Sequence, residues 1–200
     1  NDREMRMDEA TTERVLQDSM FELDNLSAYL GKLKDMVCAD ERETLLRPSA
    51  FNLRELVEKV VRLTNIPAGK KVSFSTAFPP DMPDLTADPV HVANVLSNLI
   101  ENAIKYSGEE VNIDIVVLWN QQGVELTVSD NGFGIAPDER RKVFEKFYRS
   151  SHLPDKQIPG IGLGLSYVRQ IVEAHHGSVS LRSELGEGTR ITINLPTTAL

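Results

Sequence analysis

The segment from Asn94 to Tyr106 predicts one helix with two very different faces. At a helical pitch its apolar residues share one broad face, which indicates burial against a core. The opposite arc is rich in amides and charges and is formed by Asn94, Asn98, Glu101, Asn102 and Lys105. Asparagine is a poor helix former because its side chain competes with the backbone for hydrogen bonds. Three asparagines on one arc therefore favour a binding site, with an ordinary solvated surface as the alternative.

The chemistry of this arc suits a phosphate ligand held together with a metal ion. Mg²⁺ prefers oxygen ligands and keeps several of its waters, and asparagine side chains offer amide oxygens. The ammonium group of Lys105, one turn further along the helix, suits a phosphate oxygen.

Composition disfavours several classes of function. The chain has 200 residues and a net charge of −8 without a long basic run, so a nucleic-acid partner is not expected. Its single cysteine, Cys38, cannot form an internal disulfide, which fits a reducing cytoplasm. No apolar stretch approaches the length of a membrane span, and no membrane contact is expected from this sequence. The charged start without methionine predicts that this chain is a piece of a longer protein. That longer protein could be bound to a membrane even though this piece has no membrane span.

Residues 1–43 predict one long charged helix. Apolar residues recur along it every three to four positions, at Leu16, Leu23, Leu26, Leu30, Leu33 and Val37. This seam is typical of coiled coils and helical bundles, since a single helix cannot bury such a stripe alone. Packing onto its own domain is the alternative. We expect residues 44–200 to form a complete domain without this helix.

The remainder of the chain alternates strands with helices. Asn52 and Asp88-Pro89 are typical helix starts, and Gly177 is a typical helix end. A further helix is predicted at 137–147, and the aperiodic residues 148–161 predict a mobile loop. Strands are predicted at 72–78, 85–87, 111–118, 124–129, 178–183 and 189–195. This order predicts an α+β fold, a two-layer sandwich with helices on one face of a mixed, mostly antiparallel sheet.

Asp130 begins a turn that could recognise a base. It follows a predicted strand in the sequence Asp-Asn-Gly-Phe-Gly, where its carboxylate can accept a hydrogen bond from an exocyclic amine such as that of adenine. Gly132 and Gly134 allow the backbone to approach a flat ring closely. A simple turn is the alternative.

A second glycine-rich segment, with Gly160, Gly162 and Gly164, precedes a predicted helix whose N-terminal amides can hold phosphate. It lacks the Gly-Lys-Ser/Thr of a Walker loop and the spacing of a Rossmann fingerprint. A flexible hinge is the alternative.

Taken in order, these segments resemble the ATP-binding domain of sensor histidine kinases. The asparagine helix, the Asp-x-Gly-x-Gly turn, Phe144-Glu-Lys-Phe147, the aperiodic loop and Gly-x-Gly-Leu-Gly-Leu match the N, G1, F and G2 boxes around an ATP lid. The resemblance covers residues 44–196 and implies a Bergerat-type ATP-binding fold. It also implies that residues 1–43 are the second helix of the dimerisation and phosphoacceptor domain.

The resemblance implies ATP and Mg²⁺ as ligands. Asn102, with Asn98, would hold Mg²⁺, and Lys105 and Arg149 would contact phosphate. Asp130 would accept the adenine amine, beside Tyr106 and Thr189. The remaining candidates would form the purine wall (Gly132, Gly134 and Ile135) or cradle the phosphates (Gly162, Leu163, Gly164 and Leu165).

The implied activity is transfer of the γ-phosphoryl of ATP to a histidine and then to a response regulator receiver domain, within a homodimer of the full-length protein. The family's phosphoacceptor motif is absent, and none of His91, His152, His175 and His176 has its context, so ordinary surface positions are expected for all four. The acceptor helix would therefore lie outside this chain. The location implied is the cytoplasmic portion of a membrane-bound bacterial sensor.

Two other functions stay open at this point. One is an ATPase of the gyrase and MutL type, although those enzymes usually have a glutamate where Asn98 stands, and an amide cannot activate water. The other is a non-catalytic nucleotide-sensing or dimerisation module.

Overall fold

The computed structural model describes residues 46–120, 122–152 and 158–196. The helix predicted at residues 1–43 lies outside these residues and stays a prediction. No helix within the described ranges is long and apolar enough to cross a membrane.

The core of the domain is a five-stranded sheet in which one strand pair is parallel and the other three are antiparallel. Its strands, in spatial order, are β2 (Lys71–Ala77), β4 (Glu110–Asn120), β5 (Gly123–Asp130), β7 (Gly188–Pro196) and β6 (Ser178–Glu184). β2 runs parallel to β4, because the helix-containing connection between them returns the chain in the same direction. The prediction of a mixed, mostly antiparallel sheet is confirmed.

Helices cover one face of this sheet. Along β4, Val111, Ile113 and Ile115 are buried, whereas Asn112 and Asp114 between them are exposed, as expected for a strand with one solvated face. The covering helices are α2 (Pro89–Lys105) and α3 (Gly164–Ala174), and α1 (Leu53–Leu63) packs against α2. The central helix α2 packs against β4, β5 and α3. It therefore presents its apolar face to the sheet.

Both predicted helix starts are confirmed by their caps. The side chain of Asn52 accepts a hydrogen bond from the N–H of Glu55 at 3.1 Å. Oδ1 of Asp88 accepts hydrogen bonds from the N–H groups of Val90 and His91 at 3.0 and 3.1 Å. At the other end of α2, Nζ of Lys70 donates to the carbonyl oxygens of Ile104 and Ser107, which the last turn of a helix leaves unpaired.

Residues 137–147 do not form the predicted helix. They form a series of turns with a short 3₁₀ helix at Lys142–Phe144. Phe147 has a left-handed backbone, with φ of 65°, which an α-helix cannot accommodate. The segment has few apolar residues to bury, and contacts of its Glu139 side chain with the following loop determine its path instead.

Two smaller expectations also differ from the structure. Strand β1 (Ser49–Phe51), which pairs with β3 (Leu85–Ala87), was not predicted because three residues show no clear alternation. The left-handed residue after α3 is His176, with φ of 56°, rather than Gly177. Gly177 is required by space, since a Cβ there would lie 2.2 Å from the carbonyl oxygen of Asn194.

Candidate functional site

Most of the predicted site residues surround one pocket. It lies between α2, the end of β5, the start of β7 and the first turn of α3. Its wall is mainly apolar, with Leu99, Ala103, Val128, Val143 and Ile191 in it. The predicted residues that line the pocket are Asn102, Tyr106, Asp130, Gly134, Ile135, Arg149, Gly164, Leu165 and Thr189.

Asp130 is held by only one of its two carboxylate oxygens. Oδ1 accepts hydrogen bonds from the backbone N–H groups of Gly132 at 2.8 Å and Thr189 at 3.2 Å. No residue in the described ranges donates to Oδ2. Burial raises the pKa of Asp130, and the bonds from Gly132 and Thr189 offset only part of that effect. The carboxylate is therefore oriented by the backbone, and Oδ2 has no donor among the described residues.

The turn after Asp130 is fixed by backbone contacts. The N–H of Phe133 donates to the carbonyl oxygen of Tyr106 at 2.9 Å. Gly134 has φ of 70°, and a Cβ on it would lie 1.8 Å from the carbonyl oxygen of Glu184, so only glycine fits. Gly132 does not line the pocket; its Cα faces the same Tyr106 carbonyl, 2.6 Å from where a Cβ would stand. Gly132 therefore allows the turn to pack closely against the end of α2, on the side away from the pocket wall.

Asn98 and Asn102 both direct their side chains at Gly164. Nδ2 of Asn98 donates to the carbonyl oxygen of Asn94 at 2.8 Å, which fixes that amide. A Cβ on Gly164 would lie 3.1 Å from Oδ1 of Asn98, 3.5 Å from Nδ2 of Asn102 and 3.8 Å from Oδ1 of Asn102. Asn98 is buried behind the pocket wall, whereas Asn102 is part of it. Both side chains thus lie at the start of α3, and their amide oxygens are of the kind that Mg²⁺ accepts as ligands.

Within the described ranges, no group of three or more His, Cys, Asp or Glu side chains could hold a metal ion.

Two cations stand at the glycine-rich end of the pocket. Nζ of Lys105 lies 4.9 Å from the ring centroid of Tyr106 and 2.1 Å from the place a Cβ on Gly160 would occupy. Lys105 thus lies beside the glycine segment rather than in the pocket wall. Arg149 is in the wall, and its Nη2 donates to the carbonyl oxygen of Ile158 at 2.5 Å. This end is locally positive in a chain that is acidic as a whole.

Gly162 and Leu163 lie outside the pocket wall. The carbonyl oxygen of Gly162 accepts a hydrogen bond from the N–H of Phe147 at 2.9 Å. With φ of 78°, Gly162 packs so closely that a Cβ would lie 2.5 Å from the carbonyl oxygen of Tyr148. Gly162 thus ties together the two ends of the loop 148–161, and Leu163 is buried just before α3. Contact of these two residues with phosphate stays a prediction.

Comparison with known proteins decides the family. The sequence profile described as "Histidine kinase-, DNA gyrase B-, and HSP90-like ATPase" matches residues 87–199, more than half of the chain. The chain belongs to this ATPase family. Its matched range begins just before α2 and includes every residue that lines the pocket.

Two relatives of this ATPase domain are named as a sensor protein and as a sensory kinase. The sensor protein RprX of Bacteroides fragilis (strain YCH46) is 32% identical over 180 residues, which is 88% of this chain and 34% of RprX. The adaptive-response sensory kinase SasA of Synechococcus sp. (strain JA-2-3B'a(2-13)) is 31% identical over 197 residues, 97% of this chain and 52% of SasA. The chain thus spans about a third to a half of the length of these relatives.

A solved structure agrees with the α+β fold. The crystal structure titled as the catalytic domain of histidine kinase ThkA superposes with a TM-score of 0.63 at 26% identity. The match covers 76% of this chain and 99% of that one. The whole ThkA catalytic domain is therefore represented in the chain.

Glu139 of this ATPase domain is a buried carboxylate that the sequence did not single out. It is 1% exposed, and its oxygens accept hydrogen bonds from three loop residues, Tyr148, Ser150 and Ser151. Burial alone would raise the pKa of Glu139, but the hydrogen bonds from Ser150, Ser151 and Tyr148 outweigh it and lower the pKa to about 2. The charged run around Glu139 gave no signal of burial, since such runs usually lie in solvent.

His175 is not the surface residue that was expected. It is 4% exposed, its Nε2 accepts a hydrogen bond from the N–H of Asp88 at 3.0 Å, and its Nδ1 lies 2.8 Å from the carbonyl oxygen of Ile171. Burial lowers the pKa of His175, and the bond to Ile171 offsets part of that. His175 therefore links the end of α3 to the start of α2 as a neutral imidazole. The reason it was missed is that Asp88 is 87 residues away in sequence.

Proposed function

We propose that this chain binds Mg-ATP in the pocket and transfers the γ-phosphoryl group to a histidine outside the chain. The phosphoryl group would then pass to an aspartate on a response regulator receiver domain. The whole protein would act as a homodimer. It would be a membrane-bound sensor, and this chain would be part of its cytoplasmic portion. Relatives named as a sensor protein and as a sensory kinase, each about two to three times as long as this chain, support this proposal.

The single observation that carries the proposal is the placement of Asp130. One oxygen is fixed by two backbone N–H groups, and the other accepts nothing from the described residues. An acceptor at the end of a mainly apolar pocket suits an amine on a flat aromatic ring, since apolar walls bury the ring and one oriented polar group selects it. Adenine has such an amine, and its recognition by Asp130 would place the phosphates towards Asn102 and the glycine segment.

The opposite end of the pocket supplies what phosphoryl transfer needs. Such transfer depends mostly on positioning and on neutralising charge. Asn102 and Asn98 would hold Mg²⁺, which when bound would neutralise phosphate charge. Lys105 and Arg149 add positive charge from α2 and from the loop, and the N–H groups at the start of α3 add donors. Loop 148–161 would close over the nucleotide and exclude water.

The chain's own histidines are poor candidates for the acceptor. His175 is buried with both ring nitrogens engaged. Nδ1 of His91 lies 2.9 Å from the hydroxyl of Tyr167, and Nδ1 of His152 lies 3.3 Å from Oε1 of Glu139. His176 occupies the left-handed position after α3. An acceptor supplied by a separate helix is consistent with these contacts.

Isothermal calorimetry with and without Mg²⁺ tests the metal site. Asn102→Ala is expected to abolish the gain in ATP affinity that Mg²⁺ gives the wild type. Asn94→Ala is the matched control, because it removes an exposed asparagine from the same helix and leaves the backbone acceptor of Asn98 in place. A gain from Mg²⁺ as large in Asn102→Ala as in the wild type would reject Asn102 as the ligand, and a wild type that does not bind ATP would reject the proposed function.

A further inference from the structure

Glu139 is satisfied entirely by one short stretch of the loop. Its Oε1 accepts hydrogen bonds from the hydroxyl of Tyr148 at 3.0 Å and from both the N–H and the hydroxyl of Ser151 at 2.9 Å. Its Oε2 accepts a hydrogen bond from the hydroxyl of Ser150. These donors lie 9 to 12 residues further along the chain, so the contacts determine where the loop runs.

Only an acceptor can fill this position. A carboxylate has about four lone-pair sites and no donor, and four donor groups converge on Glu139. The hydroxyl groups could rotate to suit another partner, but the backbone N–H of Ser151 can only donate. An amide at position 139 could keep the N–H of Ser151 with its oxygen, but its NH₂ group would then face the hydroxyl of Ser150. All these hydrogen bonds would also lose the carboxylate charge that strengthens them.

The stretch that Glu139 holds contributes three successive residues to the pocket wall. Tyr148, Arg149 and Ser150 all line the pocket, whereas Glu139 does not. No hydrogen bond joins Arg149 to Glu139, whereas both neighbours of Arg149 donate to that carboxylate. Fixing residues on either side of a side chain limits where its backbone can place it. Glu139 can therefore limit the positions open to the Arg149 guanidinium without a hydrogen bond to it.

We propose that Glu139 is a positioning residue: by holding Tyr148, Ser150 and Ser151 it aims Arg149 at the terminal phosphate of a bound nucleotide. This inference rests on the proposed function for its ligand. Because ADP lacks the terminal phosphate, correct placement of Arg149 by Glu139 would favour ATP over ADP. Glu139 would have this effect without being part of the pocket wall. Recognition of the base at Asp130 is independent of it, because no hydrogen bond joins Asp130 to the Glu139 cluster.

Calorimetric dissociation constants for Mg-ATP and Mg-ADP test the inference in five forms of the chain: wild type, Glu139→Gln, Arg149→Ala, the double variant and Asp138→Asn. Asp138→Asn is the matched control, since it neutralises the adjacent, exposed carboxylate. We expect Glu139→Gln and Arg149→Ala to lose the ATP preference by a similar factor, on the order of tenfold for a charged hydrogen bond. ADP affinity should change little, and the double variant should lose no more than Arg149→Ala.

Other outcomes overturn the inference. If ATP and ADP affinities fall in parallel in Glu139→Gln, the residue is merely structural. If the losses of ATP preference add in the double variant, Glu139 does not act through Arg149. A wild type that binds neither nucleotide rejects the proposed function, and with it the role given to Arg149.

Amide hydrogen exchange without nucleotide tests the loop contact separately from the proposed function. Residues 149–152 should exchange faster in Glu139→Gln than in the wild type or Asp138→Asn, and unchanged exchange would show that Glu139 does not hold the loop. If Glu139→Gln does not fold, Tyr148→Phe and Ser151→Ala each remove one donor hydroxyl outside the core. Each should then accelerate exchange at residues 149–152 and weaken the ATP preference partially, and no change in either variant would overturn the inference.

Discussion

Asp130 and Glu139 are carboxylates in two parts of the same domain, and their surroundings shift their pKa values in opposite directions. Asp130 ends a strand and receives two backbone N–H groups on a single oxygen. Glu139 lies among turns and receives donors from the loop on both oxygens. Burial raises the pKa of Asp130, whereas the hydrogen bonds of Glu139 overcome burial and lower its pKa to about 2.

This difference in pKa indicates a binding role for Asp130 and a structural role for Glu139. A buried charge with too few partners costs stability, and such costs are concentrated at functional sites. Asp130 fits that description, because the rest of its hydrogen-bonding capacity faces the pocket. Glu139 has its full set of partners within the protein. We therefore expect substitution of Asp130 to weaken recognition of the base. Substitution of Glu139 should instead affect stability, loop position and, through Arg149, the preference for ATP over ADP.

The largest expected effect is on nucleotide affinity in Asp130→Asn. Its amide would present an NH₂ group to the adenine amine and lose the charged acceptor, a loss of about 1.5–3 kcal/mol, or roughly 10–150-fold in Kd. Its melting temperature should equal or exceed that of the wild type, because a poorly satisfied charge is removed. Calorimetry and thermal unfolding measure the two effects, with Asp114→Asn, an exposed residue of β4, as control. ATP affinity like that of the wild type in folded Asp130→Asn would break the assignment of the purine site.

The next effect is on stability in Glu139→Gln. Loss of the carboxylate charge weakens the hydrogen bonds from the loop, and the new NH₂ group faces the hydroxyl of Ser150. The free energy of unfolding should therefore fall by about 1–3 kcal/mol, measured by urea denaturation, with Asp138→Asn unchanged. A group with a lowered folded pKa stabilises above its unfolded pKa and loses that contribution as pH falls. The difference between wild type and Glu139→Gln should therefore shrink as pH falls from about 4.5 towards 2. A difference that stays constant over that range would show that the charge of Glu139 is not what stabilises the loop.

The same relation between pKa and folding stability gives Asp130 a pH dependence of the opposite sign. Its folded pKa is raised, so the folded state binds the proton more readily than the unfolded state, and the carboxylate costs stability once pH rises through this range. The stability of wild type relative to Asp130→Asn should accordingly increase as the solution is acidified below the raised pKa. An equal response of Asp130→Asn and Glu139→Gln to acid would remove the distinction between the two carboxylates.

The smallest expected effect concerns His175, another buried titratable group. Burial lowers its pKa, so its stabilising contribution is present above the unfolded value of about 6.5 and is lost as pH falls below it. The free energy of unfolding of the wild type should decrease between about pH 7 and pH 5, and this decrease should be smaller in His175→Gln. His176→Gln, an exposed neighbour, is the control. Identical pH profiles for His175→Gln and the wild type would contradict a neutral, buried His175.

Local chemistry explains which of these features the sequence could predict. The caps at Asn52 and Asp88 and the turn at Asp130 involve neighbours within three residues, so their residue types were sufficient. Glu139 and His175 depend on partners that only the fold brings close, and both were missed. The incorrect helix at 137–147 has the same cause, because its path follows the long-range contacts of Glu139 rather than local helix propensity.

The same contrast between local sequence signals and tertiary packing applies to the residues around the pocket. Asn102 could be assigned from the helical pattern of α2, Tyr106 from the resemblance to the family, and Gly164 from its place at the start of α3. The burial of Asn98 behind Gly164 and the use of Gly162 as a loop tie could not, since each depends on how α2, α3 and the loop pack. Contact of Lys105 with phosphate likewise stays a prediction.

Phosphoryl transfer from γ-labelled ATP tests the central claim most directly. The chain is incubated with labelled ATP and Mg²⁺, alone and with a separate fragment carrying the proposed acceptor helix, in wild type and in Asp130→Asn. The account predicts acid-labile, base-stable label on the added fragment with the wild-type chain only, and none on the chain itself. Stoichiometric labelling of His91, His152, His175 or His176 would contradict it, as would rapid release of free phosphate with no transfer to the fragment.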